Sequence, residues 1–124
     1  MSKYYDTIKD ARNEWRNSQP NHCMYCVRAP CGGFPLEVHE IERRSQAPGR
    51  WAHPCNYLLL CHFCHADHFD TMCHPKQLAV KLKRDPDHFD LEEWLRIRDK
   101  DLRAPDRVTL KNIVKYMSLI EWKS

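Results

Sequence analysis

Two pairs of cysteines carry the most specific chemistry in this sequence. Cys23 and Cys26 form one C-x-x-C pair, and Cys61 and Cys64 form a second pair a few tens of residues later. A C-x-x-C turn holds two thiolates at the separation that a tetrahedral zinc ion requires, so two such pairs supply the four ligands of a closed structural site. We therefore predict that these four cysteines bind a structural Zn²⁺.

The remaining cysteines, Cys31, Cys55 and Cys73, belong to neither pair. We interpret them as ordinary small residues, with Cys31 as the alternative ligand because it follows Cys26 closely. Disulfides are a weaker interpretation, because the polar N-terminal sequence MSKYYDTIKD does not resemble a secretion signal and the cysteine count of seven is odd. No apolar run approaches the length of a membrane span, so we expect a cytoplasmic protein without a membrane partner.

The same stretch of the chain is rich in histidine, with seven of the eight histidines between residues 22 and 74. Residues 37–41 read E-V-H-E-I, and residues 56–65 read N-Y-L-L-L-C-H-F-C-H. With the first C-x-x-C pair, this arrangement resembles the HNH endonucleases, the ββα-metal nucleases. Their pattern is C-x-x-C, then a D-H-I or H-H-I strand, then N-x-L-x-x-C-x-x-C-H. The segment L-E-V-H-E-I and the segments 82–98 and 104–110 are also similar to a small HNH subgroup common in phages and prophages.

The resemblance implies a site that cuts phosphodiester bonds with one divalent cation, such as Mg²⁺, Mn²⁺ or Ni²⁺. Such an ion polarises the scissile phosphate and neutralises charge on the leaving oxygen. Carried onto this chain, His65 is the ligand of the catalytic ion and His39 is the catalytic histidine of the strand. Asn56 either orients the base or braces the loop.

One departure from the family pattern leaves two assignments open. Alignment on Ile41 puts His39 at the metal-binding position and Glu40 at the position of the general base. Alternatively, His39 is the base and Glu40 helps to bind the ion. His68 lies one helical turn after His65 and either completes the metal site or is an exposed helix residue.

The other histidines of this stretch, His53, His62 and His74, are expected to face solvent or to cap helices. Arg43, Arg44 and Arg50 lie in the loop between the predicted strands. They either grip DNA phosphates or form a solvated surface.

Net charge alone does not identify a nucleic-acid partner. The formal charge is +3, with eight basic and eight acidic residues up to position 75 and twelve basic and nine acidic residues after it. This balance is compatible with DNA binding and does not establish it.

The motifs predict the elements that position them. Apolar residues at helical spacing predict a helix over residues 3–16, and residues 23–33 suit a zinc knuckle. Residues 35–42 and 56–60 predict two short strands, and the glycine-free run 61–73 predicts a helix. Strand, loop, strand and helix form a ββα unit clamped by zinc, which places the chain in the α+β class.

Three further helices are predicted after this unit. Pro75 opens a helix that ends at Asp85, Asp90 caps the next helix, and Thr109 caps a last helix that continues to Trp122. We predict one domain over residues 1–124, with the zinc-clamped core at about 21–75 and a helical extension at 76–124.

The sequence therefore favours a metal-dependent DNA endonuclease that nicks or cuts with low sequence specificity. In a phage, its partner would be the packaging machinery, such as terminase. The alternative is a zinc-stabilised nucleic-acid or protein-binding module without catalysis. A redox protein is the weakest interpretation, because no βαβ pattern surrounds the C-x-x-C pairs.

Overall fold

Two antiparallel strands form the sheet in this computed structural model, which describes residues 8–30, 33–42, 53–97 and 108–123. β1 spans Glu37–Glu40 and β2 spans Tyr57–Leu60. The register pairs His39 with Leu58. Both predicted strands are confirmed, and together with the helices they give the mixed α+β fold that the sequence predicts.

The α-helices of the described residues are α1 (Ile8–Ser18), α2 (His62–Cys64), α3 (His74–Arg84), α4 (Leu91–Ile97) and α5 (Leu110–Leu119). A π-helical segment at His65–Phe69 continues α2, and short 3-10 turns at Pro54–Asn56 and Pro86–His88 precede β2 and α4. Residues 3–7 of the first predicted helix lie outside the described residues. No helix within the described residues combines the length and apolar character that a membrane span needs.

The predicted starts of the C-terminal helices are confirmed by their caps. The Oδ1 atom of Asp90 accepts the backbone N–H of Glu93 at 3.0 Å, and the hydroxyl of Thr109 accepts that of Asn112 at 3.2 Å. Each side chain satisfies a backbone donor that has no partner within its own helix. Pro75 lies in the first turn of α3, where its missing N–H is no loss.

Helix α5 ends at Leu119, earlier than the predicted end at Trp122. The indole N–H of Trp122 donates to the carbonyl of Met117 at 2.9 Å. The tryptophan thus turns back and satisfies a carbonyl in the last turn, which otherwise lacks a partner inside the helix.

The two faces of the sheet pack against different helices. On one face, Tyr57 contacts the ring of Trp15 in α1, with centroids 5.6 Å apart. On the other face, His39 contacts Phe69 and hydrogen-bonds Gln77 of α3. Because β2 is covered on both sides, all four of its residues are buried, as expected for its continuous apolar run. The sheet therefore holds Tyr57 against α1 on one face and His39 against α3 on the other.

A buried ion pair joins α3 to the rest of the core. The Nζ atom of Lys81 lies 2.6 Å from Oδ2 of Asp85 and donates to the carbonyl of Tyr57 at 2.7 Å. Asp85 also accepts the indole N–H of Trp15 at 2.9 Å, and its other oxygen lies 2.8 Å from Nδ1 of His88. Burial lowers the pKa of Lys81 to about 8, against the opposing effect of Asp85.

The Asp85→Asn variant is expected to lose about 3 kcal/mol of unfolding free energy at about pH 7, because Lys81 is left buried with its charge uncompensated. This loss of unfolding free energy should be smaller at about pH 9, because Lys81 is then deprotonated in the folded state. The sign follows from the lowered pKa: between about 8 and its ordinary value of 10.5, the folded state binds fewer protons at Lys81 than the unfolded state. Urea denaturation of zinc-loaded protein measures both values, and an equal loss at both pH values would contradict this account.

Candidate metal centre and adjoining histidine cluster

The four paired cysteines come together as the sequence predicts. The sulfur atoms of Cys23, Cys26, Cys61 and Cys64 all lie within 4.8 Å of one another, and those of Cys26 and Cys61 are 3.7 Å apart. Zinc–sulfur bonds of about 2.3 Å place tetrahedral ligands about 3.8 Å apart, so the cluster has the size of a zinc site. Its donor set and dimensions are compatible with a structural zinc ion.

Each cysteine pair is held by a tight backbone turn. In the first pair, the carbonyl of Cys23 accepts the N–H of Val27 at 2.9 Å, and Val27 has a positive φ of 66°. The Sγ atom of Cys23 also lies 3.5 Å from the backbone N–H of Cys26. In the second pair, Sγ of Cys61 accepts the N–H of Cys64 at 3.4 Å at the start of α2. The N–H of Cys64 points at the sulfur of Cys61 and favours its thiolate form.

Without a bound ion, the pKa of the thiol differs among Cys26, Cys61 and Cys64. Burial raises the pKa of Cys64 and of Cys26. Burial also acts on Cys61, but the backbone N–H of Cys64 and hydrogen bonds from the neighbouring thiols lower the pKa of Cys61 overall. A divalent ion would compensate four adjacent negative charges that otherwise repel one another.

Of the cysteines outside the pairs, Cys55 and Cys73 do not belong to this cluster. Cys55 is buried next to β2, and burial raises the pKa of its thiol well above the ordinary range. Cys73 is half-buried at the start of α3. Cys31, the alternative ligand, lies outside the described residues.

A cluster of histidines adjoins the cysteine site and is organised by Glu37. One oxygen of the Glu37 carboxylate lies 2.7 Å from Nδ1 of His65, and the other lies 3.3 Å from Nδ1 of His62. The ring of His65 also meets that of His39 edge to face, with centroids 4.9 Å apart. Burial opposes ionisation of Glu37, but the hydrogen bonds from His65 and His62 outweigh it and lower its pKa.

The carboxylate fixes which nitrogen of His65 is available. Because Nδ1 of His65 donates to Glu37, the neutral ring carries its lone pair on Nε2. A carboxylate on the far nitrogen is the usual companion of a metal-binding histidine, since it orients the ring.

The tautomer of His39 is fixed by Gln77 in α3. The Nε2 atom of Gln77 donates to the carbonyl of Met72 at 2.7 Å, so its Oε1 atom faces His39. That oxygen can only accept, and it lies 2.6 Å from Nε2 of His39. The neutral His39 ring therefore carries its proton on Nε2 and its lone pair on Nδ1.

Asn56 braces the loop that follows β1. Its Oδ1 atom accepts the backbone N–H of Glu42 at 2.8 Å and the indole N–H of Trp94 at 2.9 Å. Its Nδ2 atom donates to the carbonyl of Glu42 at 3.0 Å. Of the two roles that the sequence leaves open for Asn56, these contacts favour the brace.

Comparison with known proteins gives no matching family model, curated protein or solved structure. The site is therefore interpreted from its own geometry.

Of the remaining predicted site residues, Glu40 and His68 lie apart from the histidine cluster. Alternation along β1 turns Glu40 to the face opposite His39. His68 packs its ring against Tyr25, with centroids 5.6 Å apart. The three loop arginines, Arg43, Arg44 and Arg50, lie outside the described residues.

The structure also shows residues that the sequence interpretation did not single out. Glu37 precedes His39 by two positions, so the period of a strand puts both on one face, and this spacing could have identified it. His62, expected to face solvent or cap a helix, is part-exposed and also contacts Glu37. Gln77 reaches His39 only through the packing of α3 on the sheet, and no local pattern marks it.

In the Gln77→Leu variant, the neutral His39 ring is expected to lose its preference for the Nε2–H tautomer. Wild-type protein should show the His39 proton on Nε2 in ¹⁵N imidazole spectra, and the variant should show a mixture of both tautomers. Loss of this hydrogen bond should also lower the unfolding free energy by about 1 kcal/mol. A single Nε2–H tautomer in both proteins would contradict the assignment of Gln77 as the acceptor.

Proposed function

We propose that this protein is a metal-dependent DNA endonuclease of the HNH type, with zinc in its four-cysteine site. The observation that carries the proposal is the cluster of His39, His65 and Glu37. It joins β1 to the helical segment that follows the second cysteine pair. A binding module built on the four cysteines has no need of two oriented imidazoles and a carboxylate at this position.

The residues of the cluster fit a divalent ion in part. Nε2 of His65 and Nδ1 of His39 carry the lone pairs of the neutral rings, and these atoms would hold the ion. Within the described residues, the four cysteines are the group of three or more ligand residues close enough to enclose a metal. The histidine cluster would thus be an open site, in which water and phosphate oxygens complete the coordination. The ion would supply charge neutralisation at the scissile phosphate.

Each residue of the cluster has a separate task in this proposal. Glu37 holds the proton on Nδ1 of His65 and so keeps Nε2 directed to the ion. His39 would use Nδ1 either to accept the proton of the attacking water or to bind the ion, and Gln77 keeps the proton of the neutral ring on Nε2. Glu40 lies on the other face of β1, so we assign it no chemical step.

The substrate and partners are part of the proposal. DNA would be held by basic residues, including Arg43, Arg44 and Arg50, through contacts to phosphates that carry no sequence information. Low sequence specificity is part of the proposal, because contacts to phosphates do not distinguish one base from another. Phage packaging proteins such as terminase would provide targeting, and the protein would act in the cytoplasm of the host.

A zinc-stabilised binding module without catalysis is the alternative. It is favoured by the four-cysteine cluster taken alone, because that cluster explains a stable fold without any reaction. The binding-module alternative does not explain the Glu37–His65 and His39–Gln77 contacts.

The endonuclease and the binding module predict different results when plasmid nicking is measured for wild type and the Glu37→Gln variant. Supercoiled plasmid is incubated with zinc-loaded protein and Mg²⁺, Mn²⁺ or Ni²⁺, and nicking is followed on a gel. We expect nicking by the wild type only with added metal, and a loss of about 10-fold or more in Glu37→Gln, because the variant lacks the carboxylate that orients the His65 ring. Asp67→Asn is the matched control, since it removes an exposed carboxylate two residues from His65. Equal activity in both variants would contradict the assigned role of Glu37.

A further inference from the structure

Two phenylalanine rings are exposed beside the histidine cluster. Phe34 is 45% exposed and Phe63 is 49% exposed. The Phe34 ring stacks on His62 with centroids 4.2 Å apart and planes inclined by 14°, and Phe63 meets Phe34 edge to face at 6.4 Å. We call these three residues, Phe34, His62 and Phe63, the aromatic platform.

The platform is linked directly to the proposed catalytic residues. Nδ1 of His62 lies 3.3 Å from one oxygen of Glu37, while the other oxygen of the same carboxylate lies 2.7 Å from His65. Only one carboxylate therefore separates the platform from the histidine that would bind the ion. A ligand seated on the platform would place its neighbouring atoms at the cluster.

The position of the platform is fixed by the metal cluster and by a turn. His62 and Phe63 are the two residues between Cys61 and Cys64, so a metal held by those cysteines also holds the platform in place. Gly33, with a φ of 77°, turns the chain just before Phe34. Exposed aromatic rings on such a constrained backbone lose little conformational freedom when a ligand stacks on them.

Nucleic-acid bases are the ligands that best match this surface. Proteins that bind single strands stack successive bases on aromatic side chains, and base–aromatic stacking tolerates any sequence because every base has a π-face. In a duplex, those faces are already occupied by neighbouring bases, and reaching them requires unstacking. A stacking surface beside a phosphodiester-cutting site thus favours an unpaired strand.

We infer that the aromatic platform stacks unpaired bases of a single-stranded DNA segment next to the bond that is cut. The inference rests on the proposed function and narrows its substrate to single-stranded DNA or to unpaired regions in a duplex.

The test compares wild type with the Phe34→Ala and Phe34→Ala/Phe63→Ala variants, with Leu110→Ala as control. Leu110 is 54% exposed on α5 and is thus an exposed large apolar residue outside the platform. The probes are a fluorescent oligothymidylate, the same strand with abasic sites, and a duplex of equal length. Binding is measured by anisotropy without added divalent ion, and cleavage of the same DNAs is then measured with Mn²⁺. Zinc content and melting temperature show whether each variant is folded.

We expect wild type and Leu110→Ala to bind the oligothymidylate at least about 10-fold more tightly than the abasic strand. The double variant should lose this difference and should bind duplex as the wild type does. Cleavage of the single strand should fall in parallel. Equal binding of normal and abasic strands by the wild type, or an equal loss on single strand and duplex in the variants, would overturn the inference.

The outcomes separate this inference from the proposed function. If the wild type cuts DNA and the Phe34→Ala variants cut single strands equally well, the inference fails and the endonuclease stands. If the wild type binds single strands through the platform but cuts nothing, the endonuclease fails and the base-stacking surface stands.

Discussion

Replacement of Cys64 by serine, or removal of zinc with a strong chelator, is expected to abolish cooperative folding. Structural zinc sites contribute about 10–16 kcal/mol of binding free energy, which becomes folding free energy when the unfolded chain has no preformed site. A domain of this size has a total stability of about 5–15 kcal/mol. The four cysteines connect the loop after α1 to α2, so loss of the ion releases both β-strands from their clamp. Circular dichroism during chelator titration measures the loss.

The matched control for this prediction is Cys73→Ser. Cys73 is half-buried and lies outside the cluster. We expect this variant to retain one equivalent of zinc and a melting temperature within a few degrees of the wild type. A Cys64→Ser protein that melts cooperatively at the wild-type temperature without zinc would show that the cluster does not hold a structural metal.

His65→Ala and His39→Asn are each expected to lower metal-dependent DNA cleavage by about 10²–10⁴-fold, the usual contribution of a positioned acid–base group. His65 is part-exposed, so its truncation should leave the fold intact. His39 is buried, and asparagine is chosen to keep a polar group near Gln77 and to limit the cavity. Rates are measured on a labelled oligonucleotide under single-turnover conditions at equal zinc content.

The control for the histidine variants is His68→Ala on the same helical segment. Its ring contacts Tyr25, so we expect cleavage within about 3-fold of the wild type, less than one acid–base group contributes. A loss in His68→Ala as large as that in His65→Ala would restore His68 as a ligand of the ion. Unchanged rates in both His65→Ala and His39→Asn would remove the histidine cluster from the mechanism.

The cluster of four cysteines and the strands could be predicted from the sequence because their information is local. The spacing of Cys61 and Cys64 specifies a turn that presents two sulfur atoms, and the apolar run at Tyr57–Leu60 specifies a buried strand. The N-cap residues Asp90 and Thr109 are similarly defined by the residues just after them. In each case the chemistry lies within one turn or one strand.

The contacts that organise the site depend on packing and could not be predicted in the same way. Gln77 meets His39 across a separation of 38 residues. Lys81 lies in a basic stretch with Lys83, yet only the fold shows that Lys81 is buried on Asp85. The sequence equally left two roles for Asn56, and its contacts with Glu42 and Trp94 were needed to choose between them.

We propose that the histidine cluster cuts DNA with a divalent ion that is distinct from the zinc in the cysteine site. Nicking of supercoiled plasmid by zinc-loaded wild type and zinc-loaded His65→Ala, side by side and with and without Mn²⁺, tests this proposal. We expect open circles from the wild type with Mn²⁺ alone and intact supercoils in the other three reactions. Nicking by both proteins to the same extent, or by neither while both remain folded with zinc bound, would contradict it.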